Sequence, residues 1–194
     1  MNFKQETKNK LDEYSKLIIK WNQTINLISK STEANIFERH ILDCAQIYHH
    51  LNAKDIICDI GSGSGLPGIV LSIMGIKKTI LVESDVRKSA FLTIAKNISE
   101  NEIIVKNERA ENLTNLELGQ IDFVISRALA PIDKIFELSA DLHPKSGFIL
   151  LKGENYKKEL EEAHKNWHFE SEEFISITNS NSALLKIKNV RNKN

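Results

Sequence analysis

The chain has 194 residues, 41% of them apolar and 27% charged, and its 26 lysines and arginines balance its 26 aspartates and glutamates. This composition is typical of a globular domain that buries a full core without disulfide or metal crosslinks. The apolar runs fall far short of the ~20 residues that a membrane helix needs. Zero net charge excludes nucleic-acid binding by an overall basic surface, so any basic patch is local. Local candidates are Lys77–Lys78, Arg87–Lys88, Lys157–Lys158 and the group Lys186, Lys188, Arg191 and Lys193.

The amino-terminal residues and the cysteines indicate a cellular compartment. Residues 1–10 are polar and charged, unlike a secretory signal. Cys44 and Cys58 are too few and too far apart for a disulfide framework or a zinc site, which fits a reducing compartment. We therefore expect a cytoplasmic protein that binds no metal and buries both cysteines.

The opening segment is predicted to be helical. From Lys8 to Leu27, apolar residues recur with the 3.6-residue period of an amphipathic helix. Ser31 and Thr32 can cap a second helix, and the same period continues from Ile36 to Leu51. Two consecutive helices are therefore expected before the first strand.

Strands and helices then alternate, which predicts an α/β domain with a mostly parallel sheet and helices on both faces. A closing hairpin adds one antiparallel strand. We expect a single domain, in which residues 1–53 form a helical cap on the α/β core of residues 54–194. The predicted strands are Ile56–Ile60, Thr79–Glu83, Ile103–Lys106, Asp122–Ser126, Phe148–Leu151, His168–Ile177 and Ala183–Val190; the predicted helices are Pro67–Met74, Val86–Ser99, one starting at Pro131, and Tyr156–Lys165.

A glycine-rich loop, DIGSGSGLPG at residues 59–68, lies between the first predicted strand and the next helix. Glycines let the backbone turn sharply and approach a ligand, and the helix amino terminus adds a positive dipole end. In sheets of this kind ligands bind beyond the carboxyl ends of the strands. The loop therefore predicts a nucleotide-like ligand.

Two ligand classes fit this loop. Gly63, Gly65 and Gly68 satisfy the dinucleotide fingerprint, with Glu83 about the right distance downstream for a ribose. The loop also resembles the acidic-x-Gly-x-Gly-x-Gly loop of S-adenosylmethionine-dependent methyltransferases, and the closing hairpin resembles their fold. We favour the methyltransferase, because none of the three tyrosines has the lysine four residues later that a short-chain reductase uses. An NAD-linked oxidoreductase and a noncatalytic S-adenosylmethionine-binding module remain alternatives.

Several motifs in order resemble one family over nearly the whole chain, the bacterial 16S ribosomal RNA guanine-N7 methyltransferases, also called glucose-inhibited division protein B. The resemblance implies a Rossmann-like class I methyltransferase sheet, S-adenosylmethionine as cofactor, and a guanine in the decoding-region hairpin of 16S rRNA as substrate, within the small subunit or its precursor. The motifs are Trp21-Asn22 with Asn26-Leu27, Arg39-His40-Ile41-Leu42-Asp43, Gly65-Leu66-Pro67-Gly68, Ser126-Arg127-Ala128 and Leu151-Lys152-Gly153.

The residues expected to bind the cofactor follow the predicted strand ends. By resemblance, Gly61, Leu66, Ala110, Glu111 and Arg127 match positions where the family binds S-adenosylmethionine. Glu83 ends the second predicted strand, where a carboxylate can accept both hydrogen bonds from a ribose diol. The full expected set is Asp59, Gly61, Gly63, Gly65, Leu66, Glu83, Ala110, Glu111 and Arg127.

Proton handling separates the classes of methyl acceptor. The fourth strand lacks the Asn/Asp-Pro-Pro-aromatic motif of amine methylation, and neither cysteine lies where a C5 nucleophile would be exposed. Guanine N7 carries a lone pair and no proton, so its methylation needs no general base. Arg127 is our candidate for positioning either the methionyl carboxylate or guanine O6.

Polar and basic residues near these motifs are candidates for RNA contact. Arg39 and His40, with Asp43 one turn on, fit either an ion pair that braces the cap or an RNA contact. We expect a monomer. The complete set of RNA-binding candidates is Asn22, Asn26, Arg39, His40, Arg87, Lys88 and Lys152.

Overall fold

The computed structural model describes residues 3–193 and contains a seven-stranded sheet. The strands are β1 (Ile56–Ile60), β2 (Lys78–Val82), β3 (Glu102–Lys106), β4 (Phe123–Arg127), β5 (Gly147–Lys152), β6 (Trp167–Ile175) and β7 (Ala183–Asn192). Their order is β3-β2-β1-β4-β5-β7-β6. The first five are parallel, and β7 runs antiparallel to both of its neighbours. The predicted α/β fold, with its closing hairpin, is confirmed.

Helices cover both faces of the sheet. None of those described is long and apolar enough to cross a membrane. The α-helices are α1 (Gln5–Asn22), α2 (Asp43–Ala45), α3 (Gly68–Met74), α4 (Val86–Ala95), α5 (Asn115–Leu118), α6 (Ile132–Leu138) and α7 (Tyr156–Asn166). Short 3-10 helices cover Lys30–Asn35, Gln46–His50, Lys96–Ile98 and Ala110–Asn112, and a π-helical turn covers Phe37–Leu42.

The cap differs from its prediction in three ways. The expected second helix is broken into the π-helical turn, α2 and a 3-10 helix, because apolar periodicity indicates which side is buried but not the hydrogen-bond pattern. Ser31 and Thr32 lie inside the preceding 3-10 helix rather than at an N-cap. The first helix ends at Asn22 instead of Leu27.

Two apolar cores flank the sheet. One packs the cap and α3 onto the sheet, where Leu11, Ile41 and Ile47 belong to the same cluster as Ile57 and Ile125. The other lies under α6 and α7 on the opposite face. Because the cap shares a core with the sheet, the residues of both meet at the carboxyl edge of β1, β2 and β4.

Candidate functional site

The glycine loop leaves β1 in a conformation that requires glycine. Gly63 has a φ of +57°, and a Cβ there would meet only the Gly61 carbonyl oxygen, at 3.8 Å, so conformation and not crowding excludes other residues. Gly65 has a φ of +79°, and its Cβ would lie 2.5 Å from Ile69 Cδ1. The hydroxyl of Tyr14, on α1, donates to the Ser64 carbonyl oxygen and ties the cap to this loop.

Asp59 lies beneath the loop and supports it. Its side chain is fully buried, and Oδ2 accepts a hydrogen bond from the Gly68 N–H at 2.9 Å. Burial raises the pKa of the Asp59 carboxyl to about 7, although the Gly68 hydrogen bond opposes the shift. A buried side chain cannot touch a ligand in the cavity, so Asp59 shapes the loop; the expected direct contact with the cofactor is corrected.

Glu83 joins the glycine loop to the start of α4. Its Oε2 accepts from the Gly63 N–H and its Oε1 from the Asp85 N–H, both at 2.8 Å. A carboxylate oxygen can accept more than one hydrogen bond, so these contacts leave acceptor capacity for hydroxyl groups. Glu83 therefore both fixes the loop and lines the cavity beside it.

A cavity of about 430 Å³ opens at this edge of the sheet. Its walls bring together Gly61, Gly63 and Leu66 from the loop, Glu83, the Ala110–Glu111 pair, Lys88 and Arg127. Gly65 lies behind the wall, packed on Ile69 and Tyr14. The structure thus gathers most of the predicted cofactor residues around one space.

Arg127 ends β4 and is held by the cap. Its Nη2 atom lies 2.5 Å from Nδ1 of His40, and its Nη1 atom lies 3.5 Å from Oδ2 of Asp43 and 3.7 Å from Sγ of Cys44. Burial, followed by the charge of Arg127, lowers the pKa of His40 to about 4. His40 is therefore neutral at physiological pH and orients the guanidinium.

Asp43 connects the cap to β4 and to the segment after β6, which the sequence did not predict. Its Oδ1 accepts from Gln46 Nε2 at 2.9 Å, Ser176 Oγ at 3.0 Å and Thr178 Oγ1 at 2.9 Å. The ion pair expected to brace the cap is formed by Asp43, and its partner is Arg127 of β4. The sequence places Ser176 in the predicted strand His168–Ile177 and gives Thr178 no role, since no local signal links them to a residue more than 130 positions away.

A second cavity, of about 480 Å³, adjoins the first. Arg127, Ala128 and Leu129 line both cavities, and Arg39, His40 and Asp43 line the second. Arg39 is exposed there, whereas His40 is buried against Arg127 and Thr32. Of the two explanations for this motif, the bracing interaction therefore applies to His40 and Asp43, and Arg39 stays a candidate for RNA contact.

Two predicted RNA-binding residues make structural contacts. Asn22 is 3% exposed, and its amide bonds the backbone of Leu27 and Ile28 and the side chain of Glu33. Lys152 is 8% exposed, and its Nζ contacts the Ala130 carbonyl oxygen and the Glu159 carboxylate. Burial keeps Asn22 away from phosphates, and this expectation is corrected; Lys152 lines the second cavity, so its contact with RNA stays a prediction.

The other candidates are accessible but dispersed. Asn26 and Arg87 are exposed, and Arg87 lies 3.8 Å from Asp85 at the start of α4. Lys88 is half-buried at the rim of the first cavity.

Cys44 and Cys58 are free and buried, and burial raises the pKa of the Cys44 thiol to about 12, so neither is an activated nucleophile.

A family model described as GidB, rRNA small subunit methyltransferase G, matches residues 7–187. The chain belongs to this family. Among its relatives, the ribosomal RNA small subunit methyltransferase G of Orientia tsutsugamushi (strain Boryong) is 42% identical over 188 residues, covering 96% of this chain and 93% of that protein. The one from Rickettsia prowazekii (strain Madrid E) is 40% identical over 193 residues, covering 98% of both.

Solved structures share the fold at low sequence identity. An rRNA methylase from Streptococcus thermophilus matches with a TM-score of 0.55 and 15% identity, covering 76% of this chain and 93% of that one. TrmK from M. capricolum, in complex with S-adenosylhomocysteine, matches with a TM-score of 0.54 and 15% identity, covering 84% and 68%. The resemblance found in the motifs is confirmed. Because the family consists of methyltransferases, the oxidoreductase alternative is not retained.

Proposed function

We propose that this chain transfers a methyl group from S-adenosylmethionine to N7 of one guanine in the decoding-region hairpin of 16S rRNA. The observation that carries the proposal is the position of Arg127, which lines both the glycine-loop cavity and the cavity beside it. Cofactor and acceptor must meet for direct transfer, and two adjoining cavities with a shared wall allow this.

The first cavity fits the cofactor. The backbone of Gly61 and Gly63, with Leu66, lines the side nearest β1, and Glu83 retains acceptor capacity for a ribose diol. Ala110 and Glu111 line the far wall, where the resemblance expects cofactor contacts. When bound, S-adenosylmethionine supplies an electrophilic methyl group on a sulfonium. Asp59 acts from below by holding the Gly68 N–H.

The second cavity fits the acceptor base. Arg39 and Arg127 offer donors that suit guanine O6, while N7 stays available as a nucleophile. The N7 lone pair forms the new N–C bond as the S–C bond breaks, and no proton has to be removed. The contribution of this chain is therefore orientation, which can supply several kcal/mol. His40 and Asp43 act as positioning residues because they hold Arg127.

The rRNA within the small subunit, or in its precursor, is the macromolecular partner of this proposal. An enzyme that acts on ribosomal RNA in bacteria works in the cytoplasm, so the predicted location follows from the substrate. A monomer stays our prediction, and so does the division into a cap of residues 1–53 and a core of residues 54–194.

Labelled S-adenosylmethionine and small ribosomal subunits that lack the modification test this function. The expected product is a single labelled guanine that maps to the decoding region by chemical cleavage at N7-methylguanine. Label at an amine, a ribose or several guanines would contradict the proposed atom or site. Bound cofactor without transferred label would indicate a noncatalytic binding module.

A further inference from the structure

A further cavity lies at the opposite edge of the sheet from the glycine loop. It has a volume of about 870 Å³ and is formed by the first residues of β4, β5 and β6, the last residues of β7 and the connection before β5. We call it the basal groove. Phe123 lines the basal groove, and Arg127, four residues further along β4, lines the first cavity. Their Cα atoms are therefore ~13 Å apart.

A bulge in the closing hairpin places three basic side chains on one face of β7. In the backbone register of the hairpin, Glu172 lies opposite Lys186, Glu170 opposite Lys188, and His168 opposite Arg191. Between the last two pairs β7 has one more residue than β6, and Asn189 there has a φ of +57°. An extra residue shifts the alternation of side chains, so Arg191 returns to the face of Lys186 and Lys188.

The basal groove is a concentrated positive patch in a chain of zero net charge. Lys145, from the connection before β5, joins Lys186, Lys188 and Arg191 in lining it, and within residues 3–193 no aspartate or glutamate does so. Lys188 lies 3.6 Å from Glu172 and is partly neutralised. No ion pair inside the described range includes Lys145, Lys186 or Arg191.

The floor of the basal groove indicates which part of a nucleic acid fits. Phe123 and Phe148 are each 5% exposed and Trp167 is 8% exposed, so their rings offer almost no surface on which a base could stack. The accessible groups are cationic, and cations contact phosphates without reading sequence. We propose that the basal groove binds the phosphate backbone of ribosomal RNA, as a second contact on the edge opposite the site of methyl transfer. This inference rests on the proposed function.

Neutralising the three unpaired basic residues tests the inference. The variant is Lys145→Gln, Lys186→Gln and Arg191→Gln, and the matched control is Lys8→Gln, Lys16→Gln and Lys20→Gln on the exposed face of α1, with the same charge change. Affinity for protein-free 16S rRNA is measured from 50 to 200 mM salt. The logarithm of the association constant falls as the logarithm of the salt concentration rises. We expect the magnitude of this slope to be smaller by about two to three in the groove variant and unchanged in the control. The Kd for S-adenosylmethionine stays unchanged in both.

Each outcome decides for or against the inference. Lys186 Nζ lies 5.9 Å from the Phe123 ring centroid, so a double variant, Lys145→Gln and Arg191→Gln, keeps that contact if the triple variant fails to fold. If the groove variant keeps the wild-type slope, the inference is overturned. The proposed function still stands in that case, provided that the wild-type chain methylates rRNA. Weakened binding to whole subunits but not to protein-free rRNA assigns the groove to a ribosomal protein and also overturns it. If the wild-type chain methylates no rRNA, both proposals fail.

Discussion

The His40 ring accepts a hydrogen bond at Nδ1 from Nη2 of Arg127, and the two atoms are 2.5 Å apart. A guanidinium has donors only, so this contact requires an unprotonated Nδ1, and the ring proton lies on Nε2, which faces Thr32 Oγ1 at 2.7 Å. Arg127 is thus fixed by a neutral imidazole and a carboxylate from the same cap segment. The side chain at the junction of the two cavities is held before any ligand arrives.

Arg127→Lys should fold but lose most methyl transfer. Lysine keeps the charge and lacks the planar fork that reaches His40 and Asp43 together. We expect the initial rate of methyl transfer to fall about tenfold or more, with a melting temperature within a few degrees of wild type, because Asp43 keeps its contacts with Gln46, Ser176 and Thr178. Wild-type activity in this variant would remove Arg127 from the reaction.

Glu83→Gln should weaken cofactor binding. Both carboxylate oxygens accept backbone N–H groups, whereas a carboxamide has a single acceptor oxygen and sets its NH₂ against one of those donors. A hydrogen bond to a charged group is worth about 1.5–3 kcal/mol, so calorimetry should show a Kd for S-adenosylmethionine raised about tenfold or more. Glu102→Gln, on an exposed strand end, is the control and should bind as wild type does.

Asp59 should make stability depend on pH. Its folded pKa is raised to about 7, so between its unfolded pKa, near 4, and pH 7 the folded state binds more protons than the unfolded state. Stability from this group is present below pH 4 and is lost as pH rises to 7. Asp59→Asn removes the effect, so the melting temperature of wild type minus that of the variant should fall from pH 4 to pH 7. A constant difference would contradict the raised pKa.

Asn22→Ala and Asn26→Ala should behave differently although both lie in one sequence motif. Removing the buried amide of Asn22 leaves the Leu27 and Ile28 N–H groups without their acceptor, at a cost of about 1–3 kcal/mol of stability. Asn26 is exposed, so its substitution should change stability by less than about 0.5 kcal/mol. Thermal melts measure both. A stability loss for Asn22→Ala as small as that for Asn26→Ala would contradict the structural role of the Asn22 contacts.

The sheet was predictable because each strand carries its own local signal. Ile56–Ile60 is an apolar run ending at glycine, and Pro67 and Gly75 flank the helix that follows. The glycine loop and the position of Glu83 beside it were predictable for the same reason, because glycines and an acid at strand ends are local sequence signals.

The contacts that organise the site were not predictable, because they join distant segments. Asp43 contacts Arg127, Ser176 and Thr178, and nothing near Asp43 in sequence indicates these partners. Asn22 and Lys152 were predicted to face RNA because they are polar residues in the motifs. Their burial depends on a turn and on a neighbouring helix, which polarity alone cannot reveal.

The hydrogen bond from Tyr14 to the Ser64 carbonyl oxygen makes the first helix part of the wall behind the glycine loop. Tyr14 is fully buried and contacts the loop from the side opposite the cavity. By thermodynamic linkage, a ligand that stabilises the loop also stabilises this helix, and loosening the helix weakens the ligand by the same free energy. A version of the protein without this first helix, Gln5–Asn22, would therefore lose cofactor affinity even though every residue lining the cavity remained.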